Sequence, residues 1–583
     1  MAIIKLIGFT GEIPRVQPRM LPDMASQNAF NTRLTSGDLQ PIRKARFRHN
    51  FTSMPAEGYT TIYKHGDEWL GWTGLVHAAP GPVAADRLYY TGDGVPKMRV
   101  GETVYELAVD APTAALTAAV SGTPSGSGLS ETRLYVYTFV TDFGEESEPC
   151  PISNEVVWQD GQVVNLSGFQ AAPAGRNITK QRIYRSQSST SGTTLYFIAE
   201  RAASASNFTD NLPATAINEP LPSLDWNAPP DDLQGLISLP NGMMAAFVGK
   251  DLYFCEPYHP HAWPEKYVLT MDYPIVGLGA FGTTVVVTTT GNPYMVSGTA
   301  PESMQQEKLE LNLPCINARG IVDLGYAVAY PSNDGLVTVS SGGPVVATAN
   351  LFTRENWQKL RPAIMRAGQN DGRYMAAYSI VDRNNQEYTG TIILDLAGRE
   401  NTLSRAGIYP SAFYYDIGES RLFYLQGSGV YEWDAIGETN EIQAWRSKPY
   451  ILPKPSNMGA ILVEADTGLT EGEVAAIEDE IAAVLAENQV LFDAGNLGGE
   501  INGSVMNTYE VNGDKLNPIP SINKTCTVNI YADGKLVASV SKLNSMDRLP
   551  SGFLAQQWEI EVTGDMLVKQ VTMAGTGVEL AGA

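Results

Sequence analysis

Apolar and polar residues come in short bursts along most of the chain, paired around glycine, asparagine or aspartate. GTTVVVTTTGNPYMVSG, residues 282–298, shows the unit: Val285, Val286 and Val287, then Thr288 to Thr290, a Gly291-Asn292 pivot, and a second apolar run at Tyr294, Met295 and Val296. Two β-branched or aromatic runs about such a pivot predict a β-hairpin. The same phrase returns at TTIYKHGDEWLGW (60–72), RLYYTGDGVPKMRV (87–100), DLYFCEPYHPHAWP (251–264), GYAVAYPSNDGLVTVS (325–340), RYMAAYSIVDRNNQEYTGTIILDL (373–396) and RLFYLQGSGVYEWD (421–434). Counted from Tyr253, Val286, Val328, Ala376 and Phe423, the intervals are 33, 42, 48 and 47 residues. That is near one four-stranded blade each and predicts a β-propeller, with one or two β-sandwiches as the alternative. The alternation is loose, as expected for strands buried on both faces.

Three segments depart from this rhythm. Residues 1–50 carry Pro14, Pro18, Pro22 and Pro41, which interrupt helices; only Met24 to Arg33 could form a short one. The segment reads as an extended arm lying on a neighbouring surface. After the first hairpins (51–112), SGTPSGSG (121–128) has linker composition and introduces TRLYVYTFVTDFGEESEP, VVNLSGF, KQRIYRSQ and TLYFIAERAA. Short strands over residues 113–213 predict an inserted immunoglobulin/fibronectin-like sandwich. The main propeller then occupies 214–450, followed by a C-terminal β region, 451–583, with one amphipathic helix over 467–492. Thr470 and Glu473 form a capping box there. Val474, Ile477, Ile481, Val484 and Asn488 recur at spacings of three and four, giving one stripe that its own sheet or a neighbouring subunit must cover.

Charge adds a contrast. The net charge is −23, yet residues 1–50 hold eight Lys/Arg against Glu12, Asp23 and Asp38. A basic arm seeks an acidic surface, and an acidic body repels nucleic acid at long range. In PIRKARFR, Arg43, Lys44, Arg46 and Arg48 could hold phosphate or pair with a carboxylate-rich partner protein, the reading favoured here. No apolar run reaches the roughly 18 residues of a membrane span, and MAIIKLIGF lacks the features of a signal peptide.

Chemistry is sparse. Cys150, Cys255, Cys315 and Cys526 form no CxxC pair, so free thiols are expected. Cys255, His259 and His261 in CEPYHPH lack a fourth ligand for zinc. HExxH, GxSxG and GxxxxGK are missing from the sequence, as are the SxDxGxTW turns of a sialidase-like propeller. No catalytic residue, metal or cofactor is assigned, and an enzyme is not expected.

Three stretches carry a family resemblance. MLPDMASQNAFNTRLTSGDLQPIR resembles the opening segment of phage structural proteins. LPNGMMAAFVGKDLYFCEPYHPHAWPEKYVLTMDYPIVGLGAFGTTVVVTTTGNPYMVSG, continued by LELNLPCINARGIVDLGYAVAYPSNDGLVTVS, is similar to their propeller segment, and RLPSGFLAQQWEIEVTGD to their C-terminal end. Together they resemble the nozzle proteins of short-tailed bacteriophages (tail tubular protein B, or tail stabilization type). The resemblance covers about two thirds of the chain. It implies a virion tail protein, assembled in the host cytoplasm, that forms a homo-hexameric ring below the portal and adaptor. Such a ring meets tail fibres, retains packaged DNA and serves as its ejection channel without specific binding or catalysis. A receptor- or carbohydrate-binding tail component, with 113–213 as the adhesive module, is the alternative.

Overall fold

The computed structural model describes residues 3–126, 130–189, 192–216, 218–397, 402–466, 471–493, 517 and 525–582. The chain is mostly β, divided among many small sheets. It separates into two compact units: Met1–Met54 with Ala347–Ala583, and Pro55–Val346. The expected stretch 214–450 is therefore shared between units, because residues 1–54 pair with strands beyond residue 347.

In the second unit, four antiparallel four-stranded sheets follow one another along the chain. The first contains His77–Pro80, Arg87–Thr91, Lys97–Val100 and Thr103–Glu106. The second contains Gln234–Ser238, Met244–Val248, Asp251–Phe254 and Leu269–Thr270. Ile275–Phe281, Thr284–Thr289, Tyr294–Ser297 and Gln305–Lys308 form the third, and Val322–Asp323, Val328–Pro331, Leu336–Ser340 and Gly343–Val346 the fourth. Thr61–His65 and Glu68–Trp72 make a separate hairpin.

The valine run explains how these sheets meet. Successive side chains of a strand point to opposite faces. Val285 and Val287 join Ala245, Phe247 and Phe254 of the preceding sheet, while Val286 joins Val328, Val337 and Val339 of the following one. All three valines are fully buried, each contributing about 1.5–3 kcal/mol. Gly277 and Gly279 permit the approach, since a Cβ there would stand 2.5 Å from Ile321 and 2.6 Å from Val328. At the pivot, Thr289 Oγ1 accepts from the Gly291 N–H at 3.0 Å and donates to the Asn292 carbonyl at 2.7 Å. Gly291 is required there because the Tyr273 ring lies 2.5 Å from where its Cβ would be.

The inserted region has its own core. Thr117–Ser121, Val163–Ser167 and Phe208–Asp210 form one sheet, and Tyr135–Thr141, Ile178–Ser189 and Gly192–Ala202 another. They share a cluster including Ala118, Val164, Leu166, Tyr137, Phe139 and Ile183. Every residue of Tyr135–Thr141 is buried.

In the first unit the basic N-terminal segment is woven in. Ile3–Ile7 pairs with Leu567–Ala574. Ser26–Phe30 runs parallel to Thr402–Ala406 and antiparallel to Gln443–Ser447, joining both to a ten-stranded sheet. Arg46–Asn50 is the fourth strand beside Ala412–Asp416, Arg421–Gln426 and Gly429–Glu432. The expected short helix over Met24 to Arg33 is instead strand, because the two flanking strands offer ladder bonds to Ser26–Phe30. Asn31, at φ +52°, then breaks the run. The arm is extended, but its partners are strands of its own chain.

Two short helices that sequence patterning missed, Arg354–Lys359 and Gly577–Ala581, are capped by Thr353 and Thr576. The long helix spans Glu471–Asp493; Thr470 of the expected capping box lies outside the described residues. Among the described residues, no helix is long and apolar enough to cross a membrane.

Glu12 anchors the N-terminal weave. It is 5% exposed and accepts from the Ala29 N–H at 3.1 Å and Arg405 Nε at 2.9 Å. Breaking a buried pair leaves its partner's charge uncompensated. Glu12→Ala should destabilise the first unit by about 3–5 kcal/mol in chemical denaturation.

Candidate interaction surfaces

The four basic residues singled out in the sequence lie on or just before the Arg46–Asn50 strand. Register places Arg46 opposite Glu432 and Phe47 opposite Tyr431. Arg48 Nε donates to Glu432 Oε2 at 2.8 Å, and Arg421 Nη1 donates to Oε1 of the same carboxylate at 2.8 Å. Glu432 is 2% exposed, so two guanidinium groups compensate one buried charge. Arg46 Nε donates to Glu438 at 2.8 Å. That bond, outweighing desolvation, holds the Arg46 guanidinium pKa above its usual value. The Arg43 N–H donates to Asp434 Oδ1 at 2.8 Å, and Arg33 ion-pairs with Asp434 Oδ2. Lys44 is exposed, while its backbone N–H donates to the Thr439 carbonyl. An acidic partner would therefore compete with carboxylates already in place at Arg43, Arg46 and Arg48.

The helix surface is only partly described. The side chains of Val474 and Ile477 lie outside the described residues; Ile481 and Val484 are half-buried. Leu485 and Val490, outside the expected stripe, are exposed. Asn488, the polar member of the stripe, exchanges hydrogen bonds with the Asn517 backbone at 2.9 and 2.7 Å.

CEPYHPHAWP, expected within a hairpin, is a packed loop following Asp251–Phe254. The Cys255 thiol accepts from the Met244 N–H at 3.0 Å, and burial pushes its pKa up to about 12. His259 packs on Trp226, ring centroids 4.3 Å apart. His261 is 3% exposed, with Nε2 3.1 Å from the Glu146 carbonyl of the inserted region. Burial first, then nearby His259 and Arg176, lowers its pKa to about 3. Among the described residues, no group of three or more His, Cys, Asp or Glu is placed to hold a metal. The four cysteines are buried and unbridged.

Two buried carboxylates in the inserted region went unmarked in the sequence. Asp210 accepts from the Tyr135 hydroxyl at 2.8 Å and Arg185 Nη1 at 3.1 Å. Glu146 accepts from the Tyr184 hydroxyl at 2.6 Å and Arg182 Nη1 at 2.7 Å. Burial, then the adjacent carboxylate, raises both phenol pKa values, so both hydroxyls remain donors. Tyrosine and arginine inside the strands Tyr135–Thr141 and Ile178–Ser189 were the available signal, but the carboxylates they meet lie 25 to 75 residues away.

Two measurements check this account. Glu432→Gln should cost about 3–5 kcal/mol, because Arg48 and Arg421 lose one shared charge, whereas Arg46→Ala at the half-exposed pair should cost under about 1 kcal/mol. His261 is neutral when folded, and its depressed pKa means the unfolded chain binds the extra proton. Stability from this group is fully present above about pH 6.5 and falls toward pH 3, by about 1.4 kcal/mol per pH unit. His261→Gln should remove that part of the slope in denaturation series.

No protein-family model matches the chain, and no curated protein matches it. Three solved structures show distant similarities. Hsv2 of Kluyvelomyces marxianus is 9% identical, covering 45% of this chain and 68% of that one, with a TM-score of 0.21. The N-terminal domain of Nup159 is 7% identical, covering 45% and 67%, at 0.22. PorZ, a surface component of the type-IX secretion system of Porphyromonas gingivalis, is 11% identical, covering 60% of this chain but 41% of PorZ, at 0.20. Similarities at this level carry no weight for fold or function.

Proposed function

We propose that this chain is a structural protein of a bacteriophage tail, a subunit of a hexameric nozzle ring that retains packaged DNA and forms its exit channel. The observation that carries the reading is the run of four-stranded sheets in the second unit, whose shared faces are closed by apolar side chains. Blades so arranged make a stiff wall, and in this reading the sheets are propeller blades, with residues 113–213 an immunoglobulin/fibronectin-like insertion. The sequence resemblance points the same way.

Charge supplies the physical rationale. DNA gains affinity when cations on a protein release its condensed counterions. A chain with net charge −23 offers little of that gain, so a conduit lined by carboxylates lets a polyanion pass without sticking. The reading assigns no reaction and no cofactor. Adaptor, portal and tail fibres are the expected partners, and the Glu471–Asp493 helix is the proposed contact between subunits.

Electron microscopy of particles and of the purified chain tests the ring. Six-fold rings below the portal are the expected result; a chain absent from particles, or monomeric beside purified adaptor, overturns it. Specific adhesion of this chain to host cells in a trimeric assembly would favour the receptor-binding alternative. Ile481→Asp with Val484→Asp should dissociate rings while leaving the melting temperature of the sheets unchanged, measured by light scattering and circular dichroism.

A further inference from the structure

In the first unit a cleft of about 220 Å³ is lined by Ile42, Ile408, Tyr424, Trp433, Arg43 and Glu441 among others. Tyr424 and Trp433 are 4% and 7% exposed. Their polar atoms, the phenol hydroxyl and Nε1, meet no hydrogen-bond partner among the described residues, although both rings border open space. Neither atom is sealed in the core; each stays accessible from the cleft, so a ligand there finds two donors not committed to protein acceptors. Burial raises the Tyr424 pKa, so the hydroxyl is retained as a donor.

The rim carries both signs of charge. The Arg43 guanidinium stands 3.9 Å from Asp434, whose carboxylate already pairs with Arg33. That leaves Arg43 with donors to spare. Glu441 is half-buried, and its N–H is held by the Ile42 carbonyl; its carboxylate is met by no donor among the described residues.

These groups discriminate between ligand classes. A free anion would face Glu441, and a free cation would face Arg43. A hydrocarbon would satisfy the aliphatic wall but leave the Tyr424 and Trp433 donors unmet. A neutral ring with an apolar face and several hydroxyls can accept from Tyr424, Trp433 and Arg43 while donating to Glu441. The volume is below the roughly 300–1,000 Å³ of drug-sized pockets, which suits one ring rather than a chain of them. We propose that this cleft is a binding site for a single hexose-type sugar residue, free or at the end of a glycan. The proposal stands apart from the ring reading.

The test is calorimetry and saturation-transfer NMR on the full chain. The probes are glucose, galactose, mannose, N-acetylglucosamine and their methyl glycosides, with propionate and propylammonium as charged probes. At least one sugar should bind saturably, one per chain, with Kd of about 1 mM. A methyl glycoside that binds as well as its free sugar indicates a glycan end; one that does not indicates the free sugar. Tyr424→Phe removes only the hydroxyl and should weaken binding about 3- to 10-fold. Glu441→Gln should weaken it comparably, and Tyr388→Phe, at an exposed site, should leave it unchanged. The proposal is overturned if no sugar saturates, if a charged probe binds more tightly than every sugar, or if Tyr424→Phe and Glu441→Gln both retain wild-type affinity.

Discussion

A strand buried on both faces has no side to offer water, and that constraint organises the second unit. Four strands joined by short turns bury little apolar surface by themselves. When Val285 and Val287 face one neighbour and Val286 the other, the sheet becomes stable only as a member of a row. Polar residues are consequently displaced to turns and outer strands, such as the wholly exposed Gln305–Lys308. Close approach must also be built in, which is what Gly277 and Gly279 supply.

Where charge enters the interior, it enters in answered sets. Glu12, Glu432, Asp210 and Glu146 are each nearly excluded from solvent and each holds an arginine. Such sets are weak sources of net stability but costly to break. In the first unit they also tie the N-terminal segment to strands about 390 residues distant, fixing positions that apolar contacts alone leave ambiguous.

Local chemistry was legible in the sequence, and distant pairing was not. The turns at Gly66 and Asn385 fall where Gly and Asn predicted them, each at positive φ. These signals are read within a dozen residues. By contrast, nothing in PIRKARFR announces that Arg46–Asn50 would complete a sheet with Gly429–Glu432. MASQNAF likewise contains the small buried residues of a seam strand but reads locally as a short helix. The cleft beside Tyr424 was invisible for the same reason: Ile42, Ile408 and Trp433 meet only after three remote segments fold together.

The threading of the first 54 residues has a kinetic side. They leave the ribosome before their strand partners, which are encoded after residue 346. The intervening stretch of roughly 300 residues, translated at about 5–20 residues per second, imposes a wait of some 15–60 s. During it the strands Ser26–Phe30 and Arg46–Asn50 lack the ladders they will later join. Such strands carry unpaired ladder groups until then, and residues 55–346 can reach their final form before residues 1–54 do.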